Sequence, residues 1–249
     1  MTTRLILGAE LTRDAFLGGK LHVLQPKKGY RAGVDPVLLA ASVPGKAGQT
    51  VLDLGCGVGT AALCLGARVP DMELTGVERD PFYADLARQN GLSCHVADLT
   101  NLPLDLRQQR FDHVLANPPY FDRSAGKASE NARREGALGE ETPLSDWIKV
   151  AAKRLKPKGF LHLVHKAQRL PDILTCVCEL LGSVEVLPLV SRTGRDAELI
   201  ILRARKEGRA KFQLHSPLVM HIGSSHKVDG DDYTKTVSRA LRFGDSLNW

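Results

Sequence analysis

No apolar run in this chain approaches the roughly 18–20 residues that span a bilayer. The opening "MTTRLILGAELTRD" also lacks the apolar core and small-residue cleavage site of a secretion signal. Both gaps point to a soluble, cytoplasmic protein. Cysteine is scarce: Cys56, Cys64, Cys94, Cys176 and Cys178 are odd in number and contain no CxxC pair. A disulfide framework or zinc finger is therefore disfavoured, and reduced core thiols are expected. The eight histidines show no HExxH or other metal-ligand spacing, so no metal is expected. There is no internal repeat and no low-complexity tract, which excludes solenoids and disordered linkers.

What is present is an alternation. From about residue 50, short apolar runs take turns with helical patterns, the mark of βαβ units on a parallel sheet. Strands are expected at "TVLDLG" (50–55), "ELTGVE" (73–78), "SCHVAD" (93–98), "FDHVLAN" (111–117) and "FLHLVH" (160–165). Helices are expected from Thr60 to about Ala67, over "PFYADLARQNG", over "PLSDWIKVAAKRLKPKG" with Pro157 and Gly159 as its stop, and over "RLPDILTCVCELLG". The turn-rich stretch around Gly194 joins two apolar runs into a β-hairpin. The expected fold is α/β and Rossmann-like, with a seven-stranded, mostly parallel sheet and a terminal antiparallel hairpin. A chain of 249 residues can close a sizeable core as one such domain. Residues 1–48 would close the ligand site, 49–205 form the core, and 206–249 make a basic extension. Before the core, Asp35-Pro36 reads as an N-cap followed by a first-turn proline. The stretch 121–141 reads as a long loop, and the region from Tyr233 to Arg242 as helical.

The first strand runs into "DLGCGVGT", where Gly55, Gly57 and Gly59 let backbone approach a ligand just before a helix N-terminus. A plain tight turn would look the same. The spacing also falls short of the dinucleotide GxGxxG. Glu78 ends the second strand, where a carboxylate can accept both hydroxyls of a ribose, and Asp98 ends the third, placed to accept from an adenine amine. Ligands in doubly wound sheets sit at the carboxyl ends of the strands, beside the topological switch point. Asp53, Gly55, Glu78, Asp98 and Asn117 all fall on that edge. Singly, each acid could be a solvated loop residue; together they describe a nucleoside-binding edge.

The run "DLGCGVG…VERD…VADLT…NPPY" resembles the class I S-adenosylmethionine-dependent methyltransferases, and within them the amino-methyltransferases marked by (N/D/S)PP(Y/F/W). The resemblance covers about residues 30–205. It implies S-adenosyl-L-methionine as cofactor, with Gly55 and Gly57 facing its methionine and ribose, Glu78 its ribose and Asp98 its adenine. It adds Cys56, Arg79 and Leu99 as neighbours, and Arg31 and Asp35 from "GYRAGVDPVLL", which resembles the segment closing over the methionine end. It also makes Asn117, Pro118, Pro119 and Tyr120 the catalytic corner. An exocyclic amine is a poor nucleophile because its lone pair is delocalised. The Asn117 side-chain oxygen and Pro118 carbonyl would accept its two N–H bonds, the prolines would hold them rigid, and Tyr120 would offer a face for stacking. No strong general base is needed, since methyl transfer itself makes the nitrogen acidic.

Three amines use such a corner: adenine in nucleic acid, glutamine in a protein, and guanine in ribosomal RNA. Only about 50 residues precede the first strand, too few for the helical bundle of the glutamine enzymes, and the duplicated domain of the guanine enzymes is absent. The layout resembles the bacterial tRNA(Val) adenine-37 N6-methyltransferase family through "LHVLQPKKGYRAGVDPVLLAA", "ARRE" (132–135), "PLVMH" and "DYT". It departs from that pattern in the long loop after Tyr120 and in the "IGSSHKVDG" gap. The net charge of +6 and its clusters fit a polyanion. Lys27 and Lys28, Arg133 and Arg134, and Arg205, Lys206, Arg209 and Lys211 are the candidate phosphate contacts, expected to form one surface. A solvated face is the plain alternative for each cluster. Methylation of another amine, or a non-catalytic cofactor-binding RNA module, remain the competing readings. Nothing in the sequence separates monomer from homodimer.

Overall fold

The computed structural model describes residues 10–120, 142–223, 225 and 231–249. Strands β1 (Leu11–Phe16) and β2 (Leu21–Pro26) form an antiparallel hairpin of their own. The core then follows as β3 (Thr50–Leu54), α2 (Thr60–Arg68), β4 (Glu73–Glu78), α3 (Pro81–Gln89), β5 (Ser93–Val96), α4 (Leu104–Gln108) and β6 (Phe111–Ala116), with α1 (Asp35–Ala41) ahead of it. It continues through α5 (Leu144–Arg154), β7 (Leu155–Lys166), α6 (Leu170–Leu180), β8 (Gly182–Val190) and β9 (Ala197–Arg205). Two-residue strands β10 (Gln213–Leu214) and β11 (Leu218–Val219) and helix α7 (Lys235–Phe243) complete the chain.

Among the described residues the main sheet has nine strands: the seven expected, in the order β8-β9-β7-β6-β3-β4-β5, plus β10 and β11, which both pair with β8. The extra two are too short to carry a period that sequence reading could detect. Only β9 is antiparallel to its neighbours. The chain builds outward from β3 to β5 and returns to β6 on the other side of β3, so the switch point lies between β3 and β6. Alternation along β3 puts Leu52 and Leu54 into one apolar cluster and Val51 into the other, which covers the opposite face.

Two local expectations are corrected. The helix expected to stop at Pro157 and Gly159 ends at Arg154, and the strand begins at once with buried Leu155. Pro157 is tolerated inside β7 because the register shifts there, between the pairs Phe111↔Leu155 and His113↔Phe160. The N-cap of α1 is Val34, not Asp35, which is the first helical residue and makes no capping bond. The hairpin β1–β2 is an element that the residues before the core do not announce as a hairpin: the segment from Leu21 reads only as a strand or loop. Asn90 ties it to the core by mimicking a neighbouring strand: its Oδ1 accepts from Leu24 N at 2.7 Å and its Nδ2 donates to Leu24 O at 3.1 Å.

The tail also closes on the sheet. "PLVMH" and "DYT" meet where Thr234 donates from its backbone N–H to Met220 O and from its hydroxyl to Val219 O, both at 2.8 Å. Three histidines lie in the core, His113, His162 and His165. Burial lowers all three, His113 and His165 to about 4, so the core histidines are neutral. Among the described residues no helix is long and apolar enough to cross a membrane.

Candidate active site

At the carboxyl edge of β3, β4 and β6 lies a cavity of about 490 Å³. Its floor is the glycine turn. Gly55, Gly57 and Gly59 have φ of 61°, 55° and 89°, the left-handed region that other residues enter at a cost. At Gly55 the need is also steric, because a Cβ there would lie 2.3 Å from Cη2 of Trp147. The turn delivers the chain into α2, whose Ala62 N–H donates to Asp53 Oδ2 at 3.3 Å.

Asp53 is 2% exposed, and burial pushes its carboxyl up to about 7. A carboxyl raised in the fold stabilises it fully below about pH 4, and that contribution is lost as pH rises through about 7. Asp53→Asn keeps an acceptor for Ala62 and removes the buried charge. Thermal unfolding should therefore show the variant gaining several degrees over the parent at pH 8 and little at pH 4. An equal effect at both pH values would refute the assignment.

Glu78 closes the second side. Its Oε2 accepts from Gly57 N and its Oε1 from Asp80 N, both at 2.9 Å. Burial nevertheless raises its carboxyl above the ordinary range. A third backbone donor, Arg79, also reaches the carboxylate, so of its four lone-pair sites one is left for a ligand. Asp98, with its neighbour Leu99, stands at the end of β5. Asp98 Oδ1 accepts both the Thr100 hydroxyl at 2.6 Å and the Thr100 N–H at 2.8 Å. Those bonds, the hydroxyl's first, hold the Asp98 carboxyl low and leave Oδ2 its full acceptor capacity. Arg79 and Cys56 line the same cavity, and the Cys56 Sγ lies 3.5 Å from that of Cys94.

The Asn117-Pro118-Pro119-Tyr120 corner forms the facing wall. The Tyr120 hydroxyl donates to Asp35 Oδ2 at 2.8 Å, which is where the expected helix cap went. The Tyr120 ring meets His165 edge-on at 5.5 Å, and Lys166 Nζ stands 5.9 Å from its centroid. Desolvation and Asp35 keep the phenol protonated. The Asn117 side chain makes no hydrogen bond with a described residue.

Arg31 contributes to the lining, but its guanidinium is spent on the hairpin: Nη2 pairs with Asp14 at 2.6 Å, and Nη1 donates to Thr12 Oγ1 at 2.9 Å and Pro26 O at 3.0 Å. Among the lining residues that sequence reading did not name are Tyr30, Thr60, Tyr83 and Trp147. Tyr83 accepts Tyr30 N–H at 2.9 Å and so anchors the 29–33 segment over the glycine turn. Only the aromatic inside "GYRAG" could have signalled this beforehand. Thr60 Oγ1 and Trp147 Nε1 are buried with no partner among the described residues. A polar ligand such as S-adenosyl-L-methionine fits these residues: two orphaned donors, two carboxylates with spare lone pairs, and backbone that approaches closely at a helix start.

The basic candidates do not form one surface. Lys28 is exposed beside the cavity segment, and Lys27 pairs with Glu10 at 3.3 Å. Arg205 pairs in register with Phe160, whereas Lys166 beside Tyr120 pairs with Leu199. Because β9 is antiparallel, Arg205, Lys206, Arg209 and Lys211 follow its end at the amino edge of the sheet, opposite the cavity. The single surface expected of the three clusters is therefore corrected for this one. Arg133 and Arg134 lie outside the described residues.

Comparison with known proteins matches this geometry. A tRNA1(Val) (adenine(37)-N6)-methyltransferase of Actinobacillus succinogenes is 29% identical over 206 residues, covering 78% of this chain and 84% of that protein. One of Porphyromonas gingivalis is 32% identical over 174 residues, covering 64% and 68%. A crystal structure described as a "predicted O-methyltransferase" from Agrobacterium tumefaciens superposes with a TM-score of 0.70 at 26% identity, covering 86% of this chain and 98% of that one. The model of the methyltransferase small domain matches residues 32–189, which hold the glycine turn, Glu78, Asp98 and the Asn117–Tyr120 corner. By that match, which spans well over half of its length, the chain belongs to the methyltransferase small domain family.

Proposed function

We propose that the chain is an S-adenosyl-L-methionine-dependent enzyme that methylates the N6 amine of an adenine in tRNA, at the anticodon-loop position named for its tRNA1(Val)-modifying relatives. One observation carries the reading. The amine-accepting corner at Asn117 and the nucleoside-binding carboxylates Glu78 and Asp98 open onto one cavity.

When bound, S-adenosyl-L-methionine supplies an electrophilic methyl group on a sulfonium. The chain's own residues do the rest. Glu78 and Asp98 accept hydrogen bonds from the cofactor's ribose and adenine, and the glycine turn lets it lie against backbone. Asn117 Oδ1 and the Pro118 carbonyl accept the two N–H bonds of the target amine and turn its lone pair toward the methyl. The two prolines keep these acceptors in place without a reorganisation step. Tyr120 is held at its hydroxyl by Asp35 and by a T-shaped contact with His165, and its ring offers a surface to receive the base. A base within a folded RNA must leave its stack to reach this wall. With tRNA as its substrate, the enzyme works in the cytoplasm.

The test is incubation of unmodified tRNA1(Val) transcript with labelled cofactor, nuclease digestion and separation of the nucleosides. N6-methyladenosine carrying the label is the expected product. Label in protein alone, or in a methylated guanosine, would overturn the reading in favour of a glutamine or guanine substrate.

A further inference from the structure

A second cavity, of about 480 Å³, lies at the amino edge of the sheet, where α5 and β9 end and β7 begins. Seven described residues line it: Arg110, Ala152, Lys153, Arg154, Leu155, Pro157 and Lys206. Four are basic and none is acidic. Two of the four have local work. Arg154 donates from Nη1 to the carbonyls of Leu106, at 2.9 Å, and Arg107, while Arg110 donates from its own Nη1 to Gln109 O at 2.9 Å. These acceptors are neutral, so both charges remain uncancelled. Lys153 and Lys206 make no side-chain hydrogen bond or ion pair with a described residue. The carboxylate on the adjoining strand, Asp112, is taken by Lys156 at 2.8 Å. Exposed Arg107 and Lys158 add charge at the rim, where Arg205 Nε donates to Lys158 O at 3.1 Å.

This cleft is remote from the methyl-transfer site yet joined to it by one rigid element. Helix α5 contributes Trp147 to the first cavity and Lys153 and Arg154 to the second. Its 11 residues span about 16 Å at 1.5 Å per residue. A concentration of unpaired cations with no acid suits a polyanion, and the local field falls off over a Debye length of about 8 Å at physiological salt. Charges here therefore act on RNA that touches this edge, and not on the base in the cavity.

We propose that the cleft bounded by Arg110, Lys153 and Lys206 holds backbone phosphates of the substrate RNA outside its anticodon stem-loop while the target base occupies the cavity at the opposite edge. The inference rests on the RNA reading above and extends it. The substrate is gripped at two edges of the sheet, so a whole folded RNA binds better than its target loop alone.

The test uses the full chain carrying Lys153→Gln and Lys206→Gln, with equilibrium binding of tRNA1(Val) transcript and of its isolated anticodon stem-loop across a salt series. For the whole tRNA the affinity should fall about tenfold at 0.15 M salt, and the log–log salt slope should shrink by about two, near 0.9 for each phosphate no longer neutralised. The loss should be larger for whole tRNA than for the stem-loop. Parental affinity and slope on whole tRNA would overturn the inference. So would an equal loss on both RNAs, because the effect would then lie at the target base. Failure of the RNA reading shows separately, as an absence of N6-methyladenosine with the parent enzyme.

Discussion

Asn117→Ala is expected to lower kcat on tRNA by about 10²–10³-fold while the protein stays folded and still binds S-adenosyl-L-methionine. Asn117 follows directly on β6, at the switch-point edge, and its amide is not used by any described residue to hold the fold together. Truncation therefore leaves no structural partner unsatisfied, and the loss falls on the reaction. Only an interaction stronger in the transition state than in the ground state changes kcat. The acceptor on Asn117 is of that kind, because the N–H bonds of the amine become more acidic as the nitrogen takes the methyl. Single-turnover measurements with saturating tRNA, beside calorimetric titration of the cofactor, separate the two effects. Parental turnover would remove the amine-acceptor role. Loss of cofactor binding in the same proportion would make Asn117 a part of the cofactor site instead.

Gly55→Ala should be the most damaging small change on the cofactor side. The position has φ +61°, and an added methyl would lie 2.3 Å from Cη2 of Trp147 and 2.9 Å from its Cζ3. A non-glycine residue held in this backbone region costs about 1–3 kcal/mol, before the ring is displaced. For a domain of this size each kcal/mol lowers Tm by about 2–4 °C. A drop of about 5–10 °C is expected, together with a roughly 100-fold weaker cofactor Kd, because the turn lies against the ligand. Gly48→Ala is the control. It has φ +77° but meets nothing within 4 Å and lies outside the cavity, so it should lose stability through strain alone and keep cofactor affinity. Equal cofactor affinity in the two variants would show that the turn is merely a turn.

Much of this was legible in the residues. The strand "ELTGVE" and the start of α3 at Pro81 follow directly from apolar runs and proline placement. The order Gly55, Glu78, Asp98, Asn117 forms one edge because each residue sits at or just beyond the carboxyl end of a parallel strand. What escaped was short or non-local. Helix α4 has five residues, fewer than two turns, and β10 and β11 have two each, so none carries a readable period. Pro157 and Gly159 gave a false helix stop because a register shift lets a strand absorb them.

The sequence by itself determined the chemistry available: three glycines with left-handed freedom, acids at strand ends, and an Asn-Pro-Pro-Tyr corner. Those properties belong to the residues and to their positions along strands, and a period of two or 3.6 transmits them locally. Tertiary structure decided what each side chain could afterwards do. Asp35 became the anchor of Tyr120 rather than a helix cap, Arg31 was spent on Asp14, and Trp147 came from a helix far along the chain to make Gly55 obligatory. The antiparallel direction of β9 carried the basic run starting at Arg203 to the edge away from the cavity. Strand direction depends on pairing between distant segments, and no local pattern of charge encodes it.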